Sequence, residues 1–132
     1  MINEFREDYI RAVYLISQRK GEARSKDLAL YLGVSKNTVS AMLSRLRSQG
    51  YVSYQNYGPI ALSAKGTQVA KKLTEKHRLI ELFLTTVLSR DPKDVHHEAG
   101  LLEHDFSAKS LAAMKRVLGN PTLDPHGNPI YL

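Results

Sequence analysis

Between residues 25 and 50, apolar positions recur with the spacing of two short helices separated by a turn. The first segment has its apolar positions at Leu28, Ala29 and Leu32. The second has the spacing i, i+3, i+4 and i+7, at Val39, Met42, Leu43 and Leu46. Ser25 and Ser35 are residue types that cap helix N-termini, and Gly33 and Gly50 are typical helix stops. The pattern predicts a helix-turn-helix whose second helix covers residues 35 to 49.

A short β-hairpin is predicted directly after this unit. Residues 51 to 54 are rich in aromatic and β-branched types, and residues 56 to 59 include a glycine and a proline. Residues 60 to 62 return as a second, mostly apolar run. Two strands after a helix-turn-helix form a winged helix-turn-helix, so the predicted fold is mainly α with a small β-wing.

Helical periodicity also extends to both sides of this unit. Further helices are predicted over Asn3–Lys20, 64–88, 92–106 and 107–119. Ser63 and Ser107 are candidate caps for two of them. Residues 120 to 132 contain three prolines and show no helical period, which predicts an extended tail. The expected organisation is a winged helix-turn-helix domain over 1–66, a helical domain over 67–120 and an extended tail over 121–132.

The charge distribution indicates a polyanionic partner. The net charge is +6, and no Asp or Glu occurs between Leu28 and Thr74. Phosphate contacts are expected from residues of the second helix, the wing and the segment after it, at Lys36, Arg45, Tyr54, Tyr57 and Lys65. Base contacts are expected from Ser35, Asn37, Thr38 and Ser40. Since many winged helices bind no nucleic acid, a protein-interaction domain is the alternative interpretation.

Composition excludes several other classes. The chain of 132 residues has no cysteine, which removes disulfides, thiolate zinc sites and cysteine nucleophiles. It has no apolar run of membrane-spanning length and no leader-like segment, so a cytoplasmic protein without a membrane partner is expected. The helices after the wing carry more apolar surface than one small domain hides. This predicts a homodimer, and a two-fold dimer predicts a palindromic double-stranded DNA target.

Histidines and carboxylates form a second pattern in the later half of the chain. His77 and Glu81 are spaced i, i+4, and the face shared by His96, Gly100, Glu103 and His104 is spaced i, i+4, i+7, i+8. If these faces meet, with Asp8 arriving from the first helix, they form a nitrogen and oxygen site for a divalent transition metal. A zincin motif starting at His97-Glu98 fails because position 101 is leucine. No enzymatic activity is predicted.

Together these residues resemble the diphtheria toxin repressor family of metal-dependent transcriptional repressors, which includes iron-responsive repressors and manganese transport regulators. The resemblance covers residues 4 to 118. It is carried by Glu7-Asp8-Tyr9-Ile10 with Tyr14, by residues 34–40, by Lys76-His77-Arg78-Leu79 with Glu81, and by His96 with Glu103-His104. Residues 127–130 also resemble the segment after the dimerisation domain of the iron-responsive branch. The SH3-like third domain of that branch is expected to be absent.

The resemblance implies two neighbouring metal positions. One uses His77, Glu81 and His96, and longer members complete it from their third domain, so water or another side chain has to fill that place here. The other uses Asp8, Glu103 and His104 with a side chain at position 100, where relatives carry Cys or Glu and this chain has glycine. The manganese branch also has an acidic residue where Arg11 stands. The expected cofactor is Fe(II) or Mn(II), with Zn(II), Co(II) or Ni(II) binding in vitro.

The predicted function is therefore metal-dependent repression of metal homeostasis genes. The alternative is a winged-helix regulator whose metal site has decayed at Gly100 and which binds DNA without a metal. A third hypothesis is a small metal-dependent hydrolase with Glu98 or Glu103 as general base.

Overall fold

The structure is a computed structural model that describes residues 4 to 132, so the predicted helix start at Asn3 lies outside the described residues. The chain divides into two compact units, one extending through Ala70 and the other from Lys71 to Leu132. The elements, in chain order, are α1 Glu4–Lys20, α2 Ser25–Leu32, α3 Lys36–Ser48, β1 Val52–Ser53, β2 Ala61–Leu62, α4 Ala64–Thr86, α5 Val95–Leu102 and α6 Ala108–Val117. The predicted fold class, mainly α with a small β-wing, is confirmed.

Serine caps fix the starts of three helices. The Ser35 hydroxyl accepts a hydrogen bond from the Thr38 amide at 3.1 Å, and Ser107 accepts one from Ser110 at 3.1 Å. Ser63 accepts one from the Gly66 amide at 3.0 Å. Each bond satisfies a donor that the helix itself leaves unpaired, as predicted.

The predicted cap at Ser25 is wrong. Ser25 is the first helical residue of α2, and Arg24 occupies the cap position. The Asp27 carboxylate accepts a hydrogen bond from the Arg24 amide at 3.0 Å and pairs with Lys20 at 2.8 Å. These contacts hold the pKa of Asp27 below its usual value, led by the Lys20 hydrogen bond. A carboxylate at the third helical position thus satisfies the amide of the cap residue, as the second member of a capping box does.

The first unit packs α1, α2 and α3 around one apolar core. Ile10, Leu28 and Leu46 are fully buried there, and each such side chain contributes about 1.5–3 kcal/mol by leaving water. The wing is shorter than predicted, with antiparallel pairs only at Val52–Leu62 and Ser53–Ala61. A further bridge joins Ala23 to Ile60, so the segment before α2 extends the pairing of the wing.

The second unit has its own core, formed by α4, α5, α6 and the tail. Its buried residues include Ile80 and Leu84 of α4, Val95 of α5 and Met114 of α6. Two helices are shorter than predicted. The α4 helix stops at Thr86 rather than at residue 88, and Ser89 follows with a positive φ of 56°. The α5 helix covers Val95–Leu102 rather than 92–106. No helix among residues 4 to 132 is long and apolar enough to cross a membrane.

The tail is a compact hairpin rather than an extended segment. Leu123 and Pro129 form a β-bridge, and the Asp124 amide donates to the Asn128 carbonyl at 2.8 Å. The buried Asp124 carboxylate accepts hydrogen bonds from the His126 and Asn128 amides. Ile130 is completely buried in the core of the second unit. Sequence periodicity missed this element because the hairpin repeats no pattern and is closed by side-chain to backbone bonds.

Candidate metal centre and DNA-binding surface

The candidate metal centre starts from one helical turn of α4. His77 and Glu81 are four residues apart and lie on the same side of the helix, with only 6% and 3% of their surface exposed. The His77 Nε2 atom lies 3.1 Å from Glu81 Oε1. A buried imidazole beside a buried carboxylate is costly unless both groups have strong partners. The burial of this pair therefore indicates a functional role and not a role in packing alone.

His96 brings a third donor atom from α5. Its Nδ1 lies 3.0 Å from His77 Nε2 and 4.0 Å from Glu81 Oε2. One potential ligand atom from each of His77, Glu81 and His96 falls within 4.8 Å of the others. Ligands that share a divalent ion at bond lengths of about 2.1 Å lie roughly 3.0–3.5 Å apart. The three side chains, which the sequence predicted as one site, are thus brought together at distances that fit a cation.

Glu103 orients His77 from behind. Its Oε2 lies 2.7 Å from His77 Nδ1, and the carboxylate is completely buried. If Nδ1 carries the hydrogen, it donates to Glu103 and leaves the Nε2 lone pair facing Glu81 and His96. Metal-binding histidines commonly donate their second ring N–H to a carboxylate in this way, which fixes the tautomer. The sequence predicted Glu103 as a metal ligand, and its contact with His77 adds an orienting role.

Electrostatics favour the ionised form of Glu81. Burial alone opposes ionisation, but in the metal-free protein, with His77 protonated on both ring nitrogens, the hydrogen bond and charge of His77 outweigh it, with contributions from His96 and His126. The pKa of Glu81 therefore lies below its usual value. Since metal ions bind the carboxylate and not the acid, Glu81 is in its binding form at neutral pH.

A fourth donor, which the sequence prediction missed, comes from the tail. His126 Nε2 lies 3.2 Å from Glu81 Oε2, the second oxygen of the same carboxylate. The Asp124 carboxylate accepts a hydrogen bond from the His126 amide at 2.9 Å and so fixes the turn that carries this ring. The signal was present as Asp-Pro-His-Gly-Asn at residues 124 to 128, a turn sequence that contains a histidine. His126 therefore lies beside one of the three predicted ligands, at a position for which the sequence analysis expected water or another side chain.

The first unit presents a separate surface that is rich in hydrogen-bond donors. The predicted DNA contacts Ser35, Lys36, Asn37, Thr38, Ser40, Arg45 and Tyr57 are all exposed, and Tyr54 is half-buried. The Ser35 and Thr38 hydroxyls lie 2.8 Å apart. Arg47, which lies on the same helix as Arg45, stacks on the Tyr54 ring at 4.3 Å. A groove of about 710 Å³ separates α3 from the wing, and no acidic residue lines it. Such a surface is complementary to a phosphate backbone.

Family models match nearly the whole chain in two parts. Residues 1–60 match the iron dependent repressor N-terminal DNA binding domain, and residues 63–132 match the iron dependent repressor metal binding and dimerisation domain. The chain belongs to the iron-dependent repressor family. Members of this family are metal-dependent transcriptional repressors and not enzymes, so the hydrolase hypothesis is set aside.

Individual relatives agree with the family assignment. The HTH-type transcriptional regulator MntR of Listeria monocytogenes is 37% identical over 105 residues, which are 80% of this chain and 73% of that protein. An uncharacterized HTH-type transcriptional regulator of Methanocaldococcus jannaschii is 36% identical over 110 residues, covering 83% and 88%. A manganese-dependent transcriptional repressor solved in complex with manganese superposes with a TM-score of 0.88 at 35% identity, covering 95% of this chain. The match spans only 57% of that solved chain.

The second metal position predicted for this family member stays a prediction. Asp8 is a half-buried residue of α1 in the first unit, whereas Glu103 and His104 follow α5 in the second. Within the second unit, His104 Nε2 lies 3.6 Å from Glu103 Oε1. A Cβ atom added at Gly100 would meet no other atom within 4 Å. The helix thus has room for a side chain at this position, but glycine supplies none.

Proposed function

We propose that this chain represses transcription as a homodimer that binds palindromic operator DNA when its metal centre holds Mn(II) or Fe(II). The regulated genes would be those of metal homeostasis, and the protein would act in the cytoplasm. The observation that carries the proposal is the convergence of His77, Glu81 and His96 in front of the orienting carboxylate of Glu103. Without a bound cation, this cluster of imidazoles and carboxylates has no equally simple explanation.

The donor set supports the choice of metal. His77, Glu81 and His96 would hold the cation, and His126 would add a nitrogen to the same side of Glu81. The bound cation would supply the positive charge that keeps these donors together in their deprotonated forms. Nitrogen and oxygen donors without sulfur favour Mn(II) and Fe(II) over softer ions, although Zn(II), Co(II) and Ni(II) bind such sites in vitro. Asp8, Glu103 and His104 would form the second position, completed by water where Gly100 offers no side chain.

The second unit also offers apolar surface for self-association. Large apolar side chains are exposed at the end of α4, on α5 and on α6, at Val87, Leu88, Leu101 and Val117. Exposed apolar groups of this kind are typical of association surfaces. They lie in the same unit as the ligands, and the matching family model describes that region as the dimerisation domain. We therefore assign residues 67–120 to sensing and dimerisation, with residues 1–66 as the DNA-binding domain and 121–132 as the tail that completes the centre.

On the DNA side, α3 would enter the major groove of each half-site. Lys36, Arg45, Lys65, Tyr54 and Tyr57 would contact phosphates, and Ser35, Asn37, Thr38 and Ser40 would reach base edges. In a two-fold dimer the half-sites are separated by about one helical turn, roughly 34 Å, or a small multiple of it. Correct separation of the two α3 helices is the property that metal binding would control.

The test is a metal titration of DNA binding. The protein is stripped of metal with chelator, reloaded with Mn(II) and used to select an operator from a pool of random DNA duplexes. Fluorescence anisotropy then measures its affinity for that operator in Mn(II), anaerobic Fe(II) or EDTA. We expect a palindromic consensus, a dimer in analytical ultracentrifugation and at least about 100-fold tighter binding with metal, a coupling of roughly 2.7 kcal/mol. If the affinity for operator DNA were the same in EDTA as in Mn(II), the alternative of a metal-independent regulator would be correct instead.

His126→Ala should weaken Mn(II) binding about tenfold, because it removes one nitrogen donor and leaves His77, Glu81 and His96 in place. Isothermal titration calorimetry measures this change directly. The matched control is His97→Ala, which removes an exposed histidine beside His96 and should leave the affinity unchanged. Equal affinities for the wild type and His126→Ala would remove His126 from the centre.

Mn(II) affinity should fall as the pH falls from about 7.5 to 5.5. The depressed pKa of Glu81 keeps this carboxylate ionised throughout that range, so protons compete only at the imidazoles. An ordinary imidazole has a pKa of about 6.5, so each competing imidazole would lower the affinity about tenfold over this range, and three proposed nitrogen donors on the order of 1000-fold. Calorimetry at several pH values gives the slope, and a flat profile would contradict histidine ligation.

A further inference from the structure

The tip of the wing presents an aromatic side chain from a strained backbone. The wing comprises residues 52 to 62. Tyr57 at its tip has a positive φ of 65°, a backbone conformation that residues other than glycine rarely adopt. Its side chain is 100% exposed. The turn is closed by a hydrogen bond from the Gly58 amide to the Gln55 carbonyl at 2.9 Å. Such a conformation persists when surrounding contacts impose it, and it is often found where function requires it.

The Arg24 side chain supplies a contact that holds Tyr57 in this backbone conformation. Its Nη1 donates to the Tyr57 carbonyl at 3.1 Å, across 33 residues of sequence. The other side of the guanidinium faces the Glu22 carboxylate at 3.4 and 3.5 Å. The Arg24 backbone is itself fixed, since its amide donates to Asp27 at 3.0 Å at the start of α2. One side chain therefore connects the start of α2 to the tip of the wing.

A neighbouring backbone bridge makes this connection stiff. Ala23, the residue before Arg24, pairs with Ile60, whose amide donates to the Ala23 carbonyl at 2.7 Å. Both Ala23 and Ile60 are buried. The wing tip is thus held at two points by the segment before α2, one through the backbone and one through the Arg24 guanidinium.

The groove beside this tip is suited to a DNA strand. Its walls include Lys26, Lys36, Ser40 and Tyr54, together with Arg24 and Tyr57, and no acidic residue lines it. When a recognition helix lies in the major groove, the adjoining groove along the duplex is the minor groove. A rigid hairpin beside α3 therefore points its tip at the minor groove that flanks each half-site.

We propose that Arg24 is a positioning residue that holds the wing so that the Tyr57 side chain enters the flanking minor groove. The inference rests on the proposed DNA-binding function and deepens it. Arg24 acts through the Tyr57 backbone rather than through a phosphate. This replaces the phosphate contact proposed for Tyr57 above: its ring contacts the groove walls, and its hydroxyl donates to the acceptors that A·T pairs present there. The amino group of guanine obstructs such a contact, so flanking A·T pairs are preferred over G·C pairs.

The test uses the metal-loaded full chain and its selected operator. Arg24→Gln and Tyr57→Ala should each lower operator affinity about 5- to 20-fold and abolish the preference for A·T flanks. The double variant should bind the operator as tightly as the weaker-binding single variant, because both changes remove the same contact. Tyr57→Phe should retain most of the affinity and lose part of the flank preference. Arg24→Lys, which keeps one donor and the charge, should recover part of both properties.

Controls separate this role from simple charge or folding effects. Arg19→Gln removes an exposed cation of α1 and should leave the flank preference intact. The salt dependence of binding should be unchanged in Arg24→Gln, whereas loss of a phosphate contact would lower the slope by about one. Thermal melting confirms that each variant is folded.

Two outcomes would overturn the inference while leaving the proposed function intact. One is additive loss in the double variant with a reduced salt slope, which would make Arg24 a phosphate contact. The other is unchanged affinity and flank preference in Tyr57→Ala. By contrast, a wild-type protein that binds DNA equally well with and without metal would refute the proposed metal dependence while leaving the role of the wing measurable.

Discussion

Replacing His77 with alanine should leave a folded protein whose DNA binding no longer responds to Mn(II). His77 contacts three other side chains of the centre: Nε2 lies 3.1 Å from Glu81 and 3.0 Å from His96, and Nδ1 lies 2.7 Å from Glu103. The substitution removes a proposed ligand and leaves the Glu103 carboxylate without the imidazole that it orients. Loss of an orienting group alone typically lowers metal affinity 10- to 100-fold, so we expect a decrease of more than about 100-fold here. Calorimetry with Mn(II) and anisotropy with operator DNA measure the two effects.

A second substitution controls for the possibility that His77→Ala loses its metal response because the protein unfolds. His77→Gln keeps a side-chain amide that can donate to Glu103, so the buried carboxylate stays paired while metal affinity is still reduced. His97→Ala again serves as the histidine control. A His77→Ala protein that still needed Mn(II) for DNA binding would show that the metal acts elsewhere, with Asp8, Glu103 and His104 as the remaining candidate position.

Ile130→Ala should destabilise the second unit by about 2–5 kcal/mol, because it opens a cavity at a completely buried position. The Ile130 amide donates to the Thr122 carbonyl at 2.9 Å, so this residue closes the tail hairpin as well as filling the core. Loosening the hairpin releases His126, and Mn(II) affinity should fall about as far as in His126→Ala. Urea unfolding monitored by circular dichroism gives the free energy of unfolding.

Leu123→Ala is the matched control for the core substitution. Leu123 lies on the same hairpin but is 53% exposed, so its truncation should cost less than about 1 kcal/mol and leave Mn(II) affinity unchanged. If Ile130→Ala lost stability but kept full metal affinity, the hairpin would not be what holds His126 at Glu81.

Local signals explain why so much of the fold could be predicted from the sequence. The helix-turn-helix repeats the helical period and is bounded by glycines, and serines cap α3, α4 and α6 as expected. These features depend on residues only a few positions apart, where sequence spacing and spatial distance agree. The capping of α2 was mispredicted because a carboxylate at Asp27 competes with the hydroxyl of Ser25, and spacing alone does not decide between them.

The candidate site was predictable where its residues share a helix or belong to the family pattern. His77 and Glu81 lie one turn apart on α4, and the family pattern supplied His96 and Glu103. The contact between His126 and Glu81 joins residues 45 positions apart, and that between Arg24 and Tyr57 joins residues 33 positions apart. Neither pair has a spacing that periodicity reveals, because each depends on how a turn is placed by the packing of other elements.

The position of His126 so late in the chain has a consequence for protein synthesis. A ribosome adds about 5–20 residues per second, so His126 is joined roughly 2–9 s after Glu81. The first unit, complete by Ala70, leaves the ribosome earlier and is able to fold before the tail exists. Each nascent polypeptide would therefore pass through an interval in which its first unit is able to fold while the proposed metal centre still lacks the nitrogen of His126, and the proposed response to metal would be complete only after residue 126 has been translated.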